Sequence, residues 1–431
     1  MFGNNGSVVV GYDLSNEYAQ ISYTENGAEP GKTISLTPGT EQYNIPVCLF
    51  KRSEVNQWFV GQEAVNYSEV EEGEMVGELW ERALVGDNVS VVGEEFDPLA
   101  LLALYIRRSL VLLTSEVKKE RIKGIMFTVP NLTKRALEVL EIVTDTLEIG
   151  DAQICFQGRE ESIYYYIAHQ PADLWQHDVE VYDYNENGIT AFRFHRNKMT
   201  KPLVAFVDRK EYEAVGGYNG SEAEAEVMDN RFSDVVKDSL AGHIVSCAYL
   251  LGTGFEGDWC KDSLRELCRN RRAFRGNNLY SRGACYAMQD NLTTKLDKRN
   301  MIFLGKGKLR ANVGMNVMRG REESYLALLD GGENWFDSKK TVDFLLGEGN
   351  SFVITITPLD GKNVRNVEVV LDGLGDHEPG TVRIQLEVLM ESEDTIRINA
   401  TDMGFGAFRM ATHQLFTQKI HIKTDMEQVK E

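Results

Sequence analysis

Long apolar runs are missing from this 431-residue sequence, and a segment that crosses a bilayer is therefore not expected. The first residues, Met1 to Gly6, are polar and glycine-rich rather than basic and then apolar, which argues against a signal peptide. Basic residues are also in deficit: 46 Lys and Arg stand against 66 Asp and Glu, a formal net charge of −20. That balance disfavours nucleic acid and anionic membranes as partners. We expect a cytoplasmic protein without membrane insertion, whose partners are other proteins or peptides.

Cysteine and histidine are sparse and carry no metal-binding pattern. No two cysteines stand two residues apart, and several lie inside apolar runs, which favours reduced, buried packing residues. The six are Cys48, Cys155, Cys247, Cys260, Cys268 and Cys285. The seven histidines do not show the spacing of a zinc site, so no structural metal is expected.

The apolar content is that of an ordinary globular protein, at 42%, and the length exceeds what one core usually holds. Short β-rich runs alternate with helical patterns over residues 1–300, which indicates an α/β domain. Over residues 301–431, short alternating segments are separated by Gly, Asp and Pro turns, which is typical of an all-β sandwich. The clearest of these segments are Phe352 to Thr357, Val367 to Leu371, Val382 to Val388 and Thr395 to Ala400.

Two hairpins are predicted in the α/β domain. Val8 to Leu14 and Tyr18 to Thr24 form the first. Val179 to Tyr184 and Ile189 to Phe194 form the second, across a turn that contains Asn-Gly, the strongest short hairpin signal. Both hairpins have an aspartate near the end of their first strand.

Helix signals are strong at two places and weak at a third. Asp97 followed by Pro98 predicts a helix that continues to Lys119, and Asn131 or Thr133 is expected to cap another helix. The strand between these helices is predicted over 122–129. A glycine- and acid-rich stretch over 216–230 is predicted to be a loop that precedes a helix over 232–244.

The segment Gly11 to Tyr18, GYDLSNEY, resembles the first phosphate loop of the heat-shock protein 70 (DnaK-type) chaperones. Asp13 stands where that family keeps its magnesium-organising carboxylate. Further weak similarities follow in the same order along the chain: Ile45 to Val47, Val60 to Ala64, Met126 to Pro130, Glu160 to Ser162, Val181 to Asp183, Leu251 to Gly254, Arg282 to Ala284 and Asp394 to Asp402. Their colinearity over nearly the whole chain carries the resemblance.

The resemblance implies an α/β actin-like (ribonuclease H-like) ATPase fold with two lobes, followed by a β-sandwich like the substrate-binding domain of the chaperones. The segment between Asp183 and Gly252 is short for the family, so the second lobe is expected to be reduced, and a helical lid is not expected after the sandwich. The implied cofactor is ATP with magnesium, which Asp13 and Asp183 would hold through water. If the site is active, Asp13, Glu160, Asp183 and Arg82 are the implied catalytic residues. The implied nucleotide contacts are Ser15, Asn16, Asn187, Gly188, Gly252, Thr253 and Gly254.

The loops depart from what phosphate binding needs. Such loops use glycines for close backbone approach and hydroxyls as uncharged donors. Here Ser15, Asn16 and Glu17 replace glycine and two threonines of the first loop, and residues 185–188 replace the glycines of the second. The carboxylates of Glu17 and Glu186 would repel a triphosphate. The sequence therefore favours a chaperone-like binding or scaffolding protein with a degenerate, non-hydrolysing nucleotide site. The alternative is an active, divergent ATP-dependent chaperone. A small-molecule kinase on the same fold is disfavoured by the β-sandwich.

Several motifs also have a purely structural interpretation. Asp13 and Asp183 could simply end strands, and Asn187-Gly188 could be a plain hairpin turn. Gly252 and Gly254 suit a nucleotide or a tight strand-to-helix turn. An arginine cluster over 269–275 could bind an acidic partner or compensate a helix dipole. The apolar residues 301–304 could be an interdomain linker or the first sandwich strand.

Overall fold

A computed structural model describes residues 6–25, 31–37, 39–147, 149–185, 187–197, 203–217, 221–276, 278–293, 301–305, 307–359, 363–406 and 409–422. The chain divides into two compact units, Met1–Met301 and Ile302–Glu431. In the described residues, no helix is both long and apolar enough to cross a membrane.

The first unit begins with a sheet in the order β11-β10-β1-β2-β3, in which β1 and β2 form an antiparallel hairpin and β1, β10 and β11 run parallel. Its strands and those near it are β1 (Val8–Leu14), β2 (Tyr18–Glu25), β3 (Lys32–Thr33), β4 (Ile45–Pro46), β5 (Leu49–Arg52), β6 (Trp58–Val60), β7 (Gly73–Val76), β8 (Val89–Val91), β9 (Glu94–Phe96), β10 (Ile122–Val129) and β11 (Gln153–Gly158). The helices are α1 (Gln62–Ser68), α2 (Leu79–Val85), α3 (Pro98–Thr114), α4 (Lys134–Asp145) and α5 (Arg159–Ala168).

A second sheet of the same unit repeats this plan. An antiparallel hairpin, β12 with β13, continues into β14 on one side, and β15 and β16 run parallel to β12 on the other. The strands are β12 (Asp178–Asn185), β13 (Gly188–Asn197), β14 (Leu203–Tyr212), β15 (Val245–Leu251) and β16 (Arg272–Arg275), and the helices are α6 (Glu222–Leu240) and α7 (Lys261–Leu267). The last helix, α8 (Leu279–Leu292), packs on β1 and β10 of the first sheet. We refer to the two sheets with their helices as the first and second lobes.

Local capping explains where the helices begin. The Asp97 side chain accepts a hydrogen bond from the Leu99 N–H at 2.9 Å, and Thr133 accepts one from Ala136, so both predicted helix starts are confirmed. The first of these helices ends at Thr114 rather than Lys119, because a turn and a 3₁₀ helix over 119–121 follow it. The loop predicted over 216–230 is wrong in its second half. Ser221 caps α6, and the acidic residues that follow it suit the positive end of the helix dipole.

Two glycines allow α8 to approach both β1, which carries Asp13, and α5. A Cβ added to Gly11 of β1 would lie 2.0 Å from the Ser281 carbonyl oxygen of α8. A Cβ added to Gly283 of α8 would lie 2.1 Å from the Ser162 carbonyl oxygen of α5. Both distances are below any real carbon–oxygen contact, so glycine is required at both positions. The close packing brings α5 and α8 beside the end of β1.

The second unit contains two four-stranded antiparallel sheets, in the orders β19-β18-β21-β22 and β20-β23-β24-β25. β17 (Met301–Phe303) is an edge strand of the second sheet, next to β14, and is not a strand of the sandwich. The strands of the second unit are β18 (Ala311–Arg319), β19 (Glu322–Leu329), β20 (Lys339–Leu345), β21 (Ser351–Pro358), β22 (Arg365–Val370), β23 (Arg383–Ser392), β24 (Thr395–Asp402) and β25 (Leu415–His421). Val313, Ile354, Leu386 and Ile398 from the two sheets share one buried core. The unit is therefore a β-sandwich in the broad sense of two sheets around one core.

Candidate functional site

The ends of the two hairpins bring two buried aspartates to the same place. Asp13 lies in β1, directly beside Thr128 of the parallel strand β10, and Asp183 lies in β12 beside Leu251 of β15. Their exposed fractions are 0% and 1%. Because an isolated buried carboxylate is costly, each of these groups needs a partner.

Arg159 provides that partner for both aspartates. Its Nη1 donates to Asp183 Oδ2 at 3.2 Å, its Nη2 donates to Asp13 Oδ2 at 3.3 Å, and its Nε lies 3.4 Å from Asp13 Oδ1. Arg159 is the first residue of α5, directly after β11, and it is itself buried. The guanidinium thus joins a strand of the first lobe to a strand of the second.

Tyr280 of α8 completes the cluster. Its hydroxyl donates to Asp183 Oδ2 at 2.9 Å, and its ring lies against the guanidinium of Arg159, 4.4 Å from the centroid to the guanidinium carbon. A guanidinium stacks well on an aromatic face while its edges bind carboxylates. In the described residues, Asp183 Oδ1 remains without a hydrogen-bond partner.

Burial and the neighbouring charges shift the pKa values of Asp13 and Arg159 in opposite directions. Burial raises the pKa of Asp13, and the nearby Arg159 offsets only part of that rise. Burial opposes the charge of Arg159, but Asp13 and Asp183 outweigh it and raise the pKa of the guanidinium well above its usual value. The arginine therefore stays charged, and it is the resident cation of the cluster.

A cavity of about 490 Å³ opens next to the cluster, between the two hairpins. Of the residues that the resemblance assigned to the nucleotide site, Ser15, Asn16, Asp183, Asn187 and Gly188 line it, together with Arg159. A second, more open cleft of about 700 Å³ is lined by Thr253 and Gly254, with Tyr184 and Gly216. The implied nucleotide residues are thus divided between two depressions, and Gly252 lines neither of them.

The polar atoms of the first loop bind within the protein. The Ser15 hydroxyl donates to the Tyr18 carbonyl oxygen at 2.8 Å and accepts from the Tyr18 N–H, so it closes its own turn. Asn16 Oδ1 accepts the N–H of Glu81, near the start of α2, at 2.9 Å. These contacts replace the donors and open backbone that a phosphate loop presents.

The second loop is a short hairpin connection. Asn185 pairs with Gly188 across it, and the Asn187 N–H donates to Asn185 Oδ1 at 3.0 Å. Gly188 has a φ of 120°, and a Cβ there would lie 2.4 Å from the Tyr212 carbonyl oxygen, so the hairpin and its neighbour β14 require glycine. Glu186, which the sequence singled out as repelling phosphate, lies outside the described residues.

The glycines after β15 pack against one tyrosine. Gly252 has a φ of 92°, and a Cβ there would lie 2.1 Å from the Tyr184 carbonyl oxygen. A Cβ on Gly254 would lie 2.4 Å from the Tyr184 ring. The tight turn from strand to 3₁₀ helix therefore accounts for both glycines without a ligand.

Glu160 and Arg82 are placed differently from what the resemblance implied. Glu160 is half-buried on α5, and the neighbouring Arg159 is the residue that reaches the aspartates. Arg82 donates to the Gly77 carbonyl oxygen at 3.0 Å and lies 3.8 Å from Glu78, while other residues of α2 line the cavity. Arg159 was not among the residues predicted from the sequence. The available signal was a charged residue directly after a predicted strand.

A magnesium ion does not fit the residues that meet here. Magnesium takes six oxygen ligands at about 2.0–2.1 Å, several of them water, and it needs carboxylates that are free to bind it. In this cluster a guanidinium lies between the two carboxylates. Across the described residues, no group of three or more His, Cys, Asp or Glu could hold a metal ion.

The arginine cluster over 269–275 is largely engaged with the protein. Arg269 pairs with Glu266 after the end of α7, and Arg272 pairs with Asp173. Arg275 donates to the Phe255 carbonyl oxygen. Arg269 follows the C-terminal end of α7, as compensation of the helix dipole requires, whereas Arg272 and Arg275 lie in β16 and have no such role.

Two family models match the sequence. The first, described as a family of unknown function, DUF5716 C-terminal, matches residues 30–306 and so covers the first unit from β3 onward, without the hairpin of β1 and β2 that carries Asp13. The second, described as the domain of unknown function DUF8552, matches residues 308–422, which form the sandwich. No curated protein matches the chain. Since the first match spans more than half of the sequence, the chain belongs to the DUF5716 family.

Proposed function

We propose that this protein is a chaperone-like protein-binding or scaffolding protein, with a heat-shock-70-like arrangement in which an actin-like unit precedes a β-sandwich and the nucleotide cleft does not hydrolyse ATP. The observation that carries the proposal is the position of Arg159 between Asp13 and Asp183. In the resembled chaperones the corresponding carboxylates organise magnesium. Here a fixed organic cation neutralises them.

A permanent cation changes what the cleft can do. Phosphoryl transfer depends on metal ions that neutralise the phosphate charge and on groups that position the nucleophile. A guanidinium that is held by two buried carboxylates offers them no exchangeable cation. It also links β1 to β12 without a ligand, whereas a bound nucleotide would do so only while it is present. This arrangement favours a rigid platform for other proteins over a domain that changes conformation as it binds and hydrolyses ATP.

The loops support the same conclusion. Ser15 and Asn16 already bind groups of the protein, and the Glu17 carboxylate beside them would repel a triphosphate. Gly252 and Gly254 are accounted for by their packing on Tyr184. No ATP site needs to be invoked to explain these residues.

The partners that we propose are other proteins or peptides. The charge of −20 disfavours nucleic acid. All six cysteines lie in the described part of the chain and are free thiols, as is usual in a reducing compartment, which supports the proposed cytoplasmic location.

Isothermal titration of the nucleotide-stripped, full-length chain with MgATP tests the proposal, together with a phosphate-release assay over many turnovers. We expect no binding in the micromolar range and no turnover. Magnesium-dependent micromolar binding with repeated turnover would show that the chain is an active ATPase, and the scaffolding proposal would then be wrong.

A further inference from the structure

The turn that joins α6 to β15, residues 241–244, has no buried side chain to hold it on the second sheet. All four residues are exposed, and Ile244, its one large apolar side chain, is 71% exposed. Backbone hydrogen bonds attach the turn at both ends. The His243 N–H donates to the Leu240 carbonyl oxygen, and the Asp178 N–H donates to the Ile244 carbonyl oxygen, each at 3.1 Å. Because apolar burial does not hold this turn, its polar side-chain contacts determine how firmly it is attached.

His243 provides those contacts. Its Nε2 lies 2.6 Å from Nη1 of Arg193, and its Nδ1 lies 3.5 Å from Oδ2 of Asp178. A guanidinium donates hydrogen bonds and accepts none, so the Nε2 that meets it carries no proton. The ring is therefore neutral, with its proton on Nδ1 and directed toward Asp178. A second proton could bind only at Nε2, where it would face an N–H of Arg193 at 2.6 Å.

Arg193 is held in place by two other groups. Its Nε donates to Oε1 of Glu180 at 2.7 Å, and its Nη2 donates to the Ser239 carbonyl oxygen, in the last turn of α6, at 2.6 Å. Glu180 lies in β12 and is 1% exposed. The guanidinium is thus fixed between the sheet and α6, and the exposed His243 ring is the part of the contact that is free to move.

Two members of this cluster change charge near neutral pH. Histidine does so by its nature, and burial raises the pKa of Glu180 to about 7. Above that range, Asp178 and Glu180 are negative, Arg193 is positive and His243 is neutral, a formal sum of −1. In acid, Glu180 is neutral and His243 is positive, so the sum becomes +1. Acid therefore replaces the hydrogen bond between Arg193 and His243 with repulsion between two cations.

The other charged groups near the cluster keep their charge over this pH range. They are Arg196, Asp208, Lys210 and Asp238, with the neutral Tyr212 hydroxyl. Side chains of these types titrate well outside neutral pH. A second histidine, His195, lies on the same face of β13 as Arg193, since the two are two residues apart in the strand. Its Nε2 lies 3.1 Å from Oδ2 of Asp208, so a second proton on His195 would strengthen its contact.

We propose that Asp178, Arg193 and His243 form an acid-sensitive latch, which holds the turn 241–244 on the second sheet at neutral pH and releases it on acidification. The inference goes beyond the proposed function and does not depend on it. The lobe itself stays folded in acid, because a buried carboxyl with a raised pKa favours the folded state when it is protonated. The latch therefore loosens the junction of α6 and β15 without unfolding the sheet beneath it.

Hydrogen–deuterium exchange of the full-length chain tests the latch at about pH 7.5 and about pH 5.5, with correction for the pH dependence of intrinsic exchange. Mass spectrometry reads the peptides that contain the Asp178 and His243 amides. We expect their protection to fall about tenfold in acid, the value of one hydrogen bond to a charged group. His243→Gln keeps an acceptor but does not titrate, so it should stay protected at both pH values. His243→Lys, which is always charged, should be poorly protected at both.

His195→Gln is the matched control and should keep the pH response of the natural protein, because its imidazole meets a carboxylate rather than a guanidinium. A pH response that persists in His243→Gln would overturn the inference, as would full protection of the turn in His243→Lys. An equal loss of protection in β13 and in the middle of α6 would show that acid unfolds the lobe as a whole, and the local latch would be wrong. The titration with MgATP decides the proposed function separately.

Discussion

The guanidinium carbon of Arg159 lies 4.4 Å from the centroid of the Tyr280 ring, in the interior of the first unit. In this position the guanidinium nitrogens reach Asp13 on one side and Asp183 on the other. Arg159 comes from α5, Tyr280 from α8, and the two aspartates come from the two sheets. The side chain of Arg159 therefore links four separate segments of the chain, β1, β12, α5 and α8.

Replacing Arg159 with methionine should lower the free energy of unfolding by about 3–5 kcal/mol, because two buried carboxylates would lose their shared counter-ion. Urea denaturation followed by circular dichroism at neutral pH measures this loss. The matched variant Arg108→Ala, at an exposed position of α3, should stay within about 0.5 kcal/mol of the natural protein. Equal effects of the two substitutions would show that the buried bridge contributes little.

The pH dependence of stability should report a second buried acid in the same unit. Burial raises the pKa of Glu180 to about 7, against the opposing hydrogen bond and charge of Arg193, whose Nε lies 2.7 Å from Glu180 Oε1. Because the folded pKa lies above the unfolded value of about 4.5, the folded state binds the proton more tightly. The stability that Glu180 contributes is fully present below about pH 4.5 and is lost as the pH rises to about 7.

Glu180→Gln removes that titration. The difference in unfolding free energy between the natural protein and the variant should therefore change by up to about 3 kcal/mol between pH 4.5 and 7.5, with the natural protein losing stability as pH rises. Urea denaturation at a series of pH values measures the difference. Glu63→Gln, at an exposed position of α1, should give a flat difference over the same range. A flat difference for Glu180→Gln as well would mean that this carboxyl titrates normally.

Local signals in the sequence predicted the parts of the fold that depend on neighbouring residues. Asp97 was identified as a helix cap, and Thr133 was one of two candidates with Asn131, because capping needs only the next two or three residues. The strand Ile122–Val129 has the predicted bounds, since a buried strand is a continuous apolar run. Ser221 was missed because the acidic and glycine-rich composition around it was interpreted as loop.

The bridge at the candidate site could not be predicted in the same way. Arg159 lies 146 residues from Asp13 along the chain, so no local pattern joins them. The resemblance to the chaperones drew attention to Glu160, the next residue, because it followed the motif of a nucleotide site. Only the packing of α5 against α8 determines which of the two side chains points to the aspartates. Charge pairing between distant segments is a property of the fold rather than of the sequence pattern.

Asn16 should contribute to stability through the start of α2 rather than through a ligand. Its Oδ1 accepts the Glu81 N–H at 2.9 Å, so Asn16→Ala should cost about 1 kcal/mol, the usual value of a helix-capping side chain. Asn16→Asp keeps an acceptor oxygen at this position and should cost less. Thermal denaturation without nucleotide compares the three proteins. If Asn16→Ala is as stable as the natural protein, the contact with α2 does not contribute to stability.

Gly252 distinguishes a structural turn from a nucleotide loop. Gly252→Ala places a Cβ 2.1 Å from the Tyr184 carbonyl oxygen at a φ of 92°, so both a steric clash and left-handed backbone strain oppose folding. Gly242→Ala is the matched control, because Gly242 has a φ of 77° but no atom within 4 Å of the added Cβ. Strain alone should cost the control about 1–2 kcal/mol. The Gly252 variant should lose at least about 2 kcal/mol more, as expected of overpacking in an interior that cannot shift.

Urea denaturation of the two glycine variants without any nucleotide measures this difference. A larger loss at Gly252 means that the turn needs glycine for its own packing on Tyr184. Equal losses would mean that the backbone at Gly252 can move away from Tyr184, and its glycine would then need another explanation, such as close approach of a ligand. Because Thr253 and Gly254 line the 700 Å³ cleft, that outcome would direct ligand screening to this second depression rather than to the cavity beside Arg159.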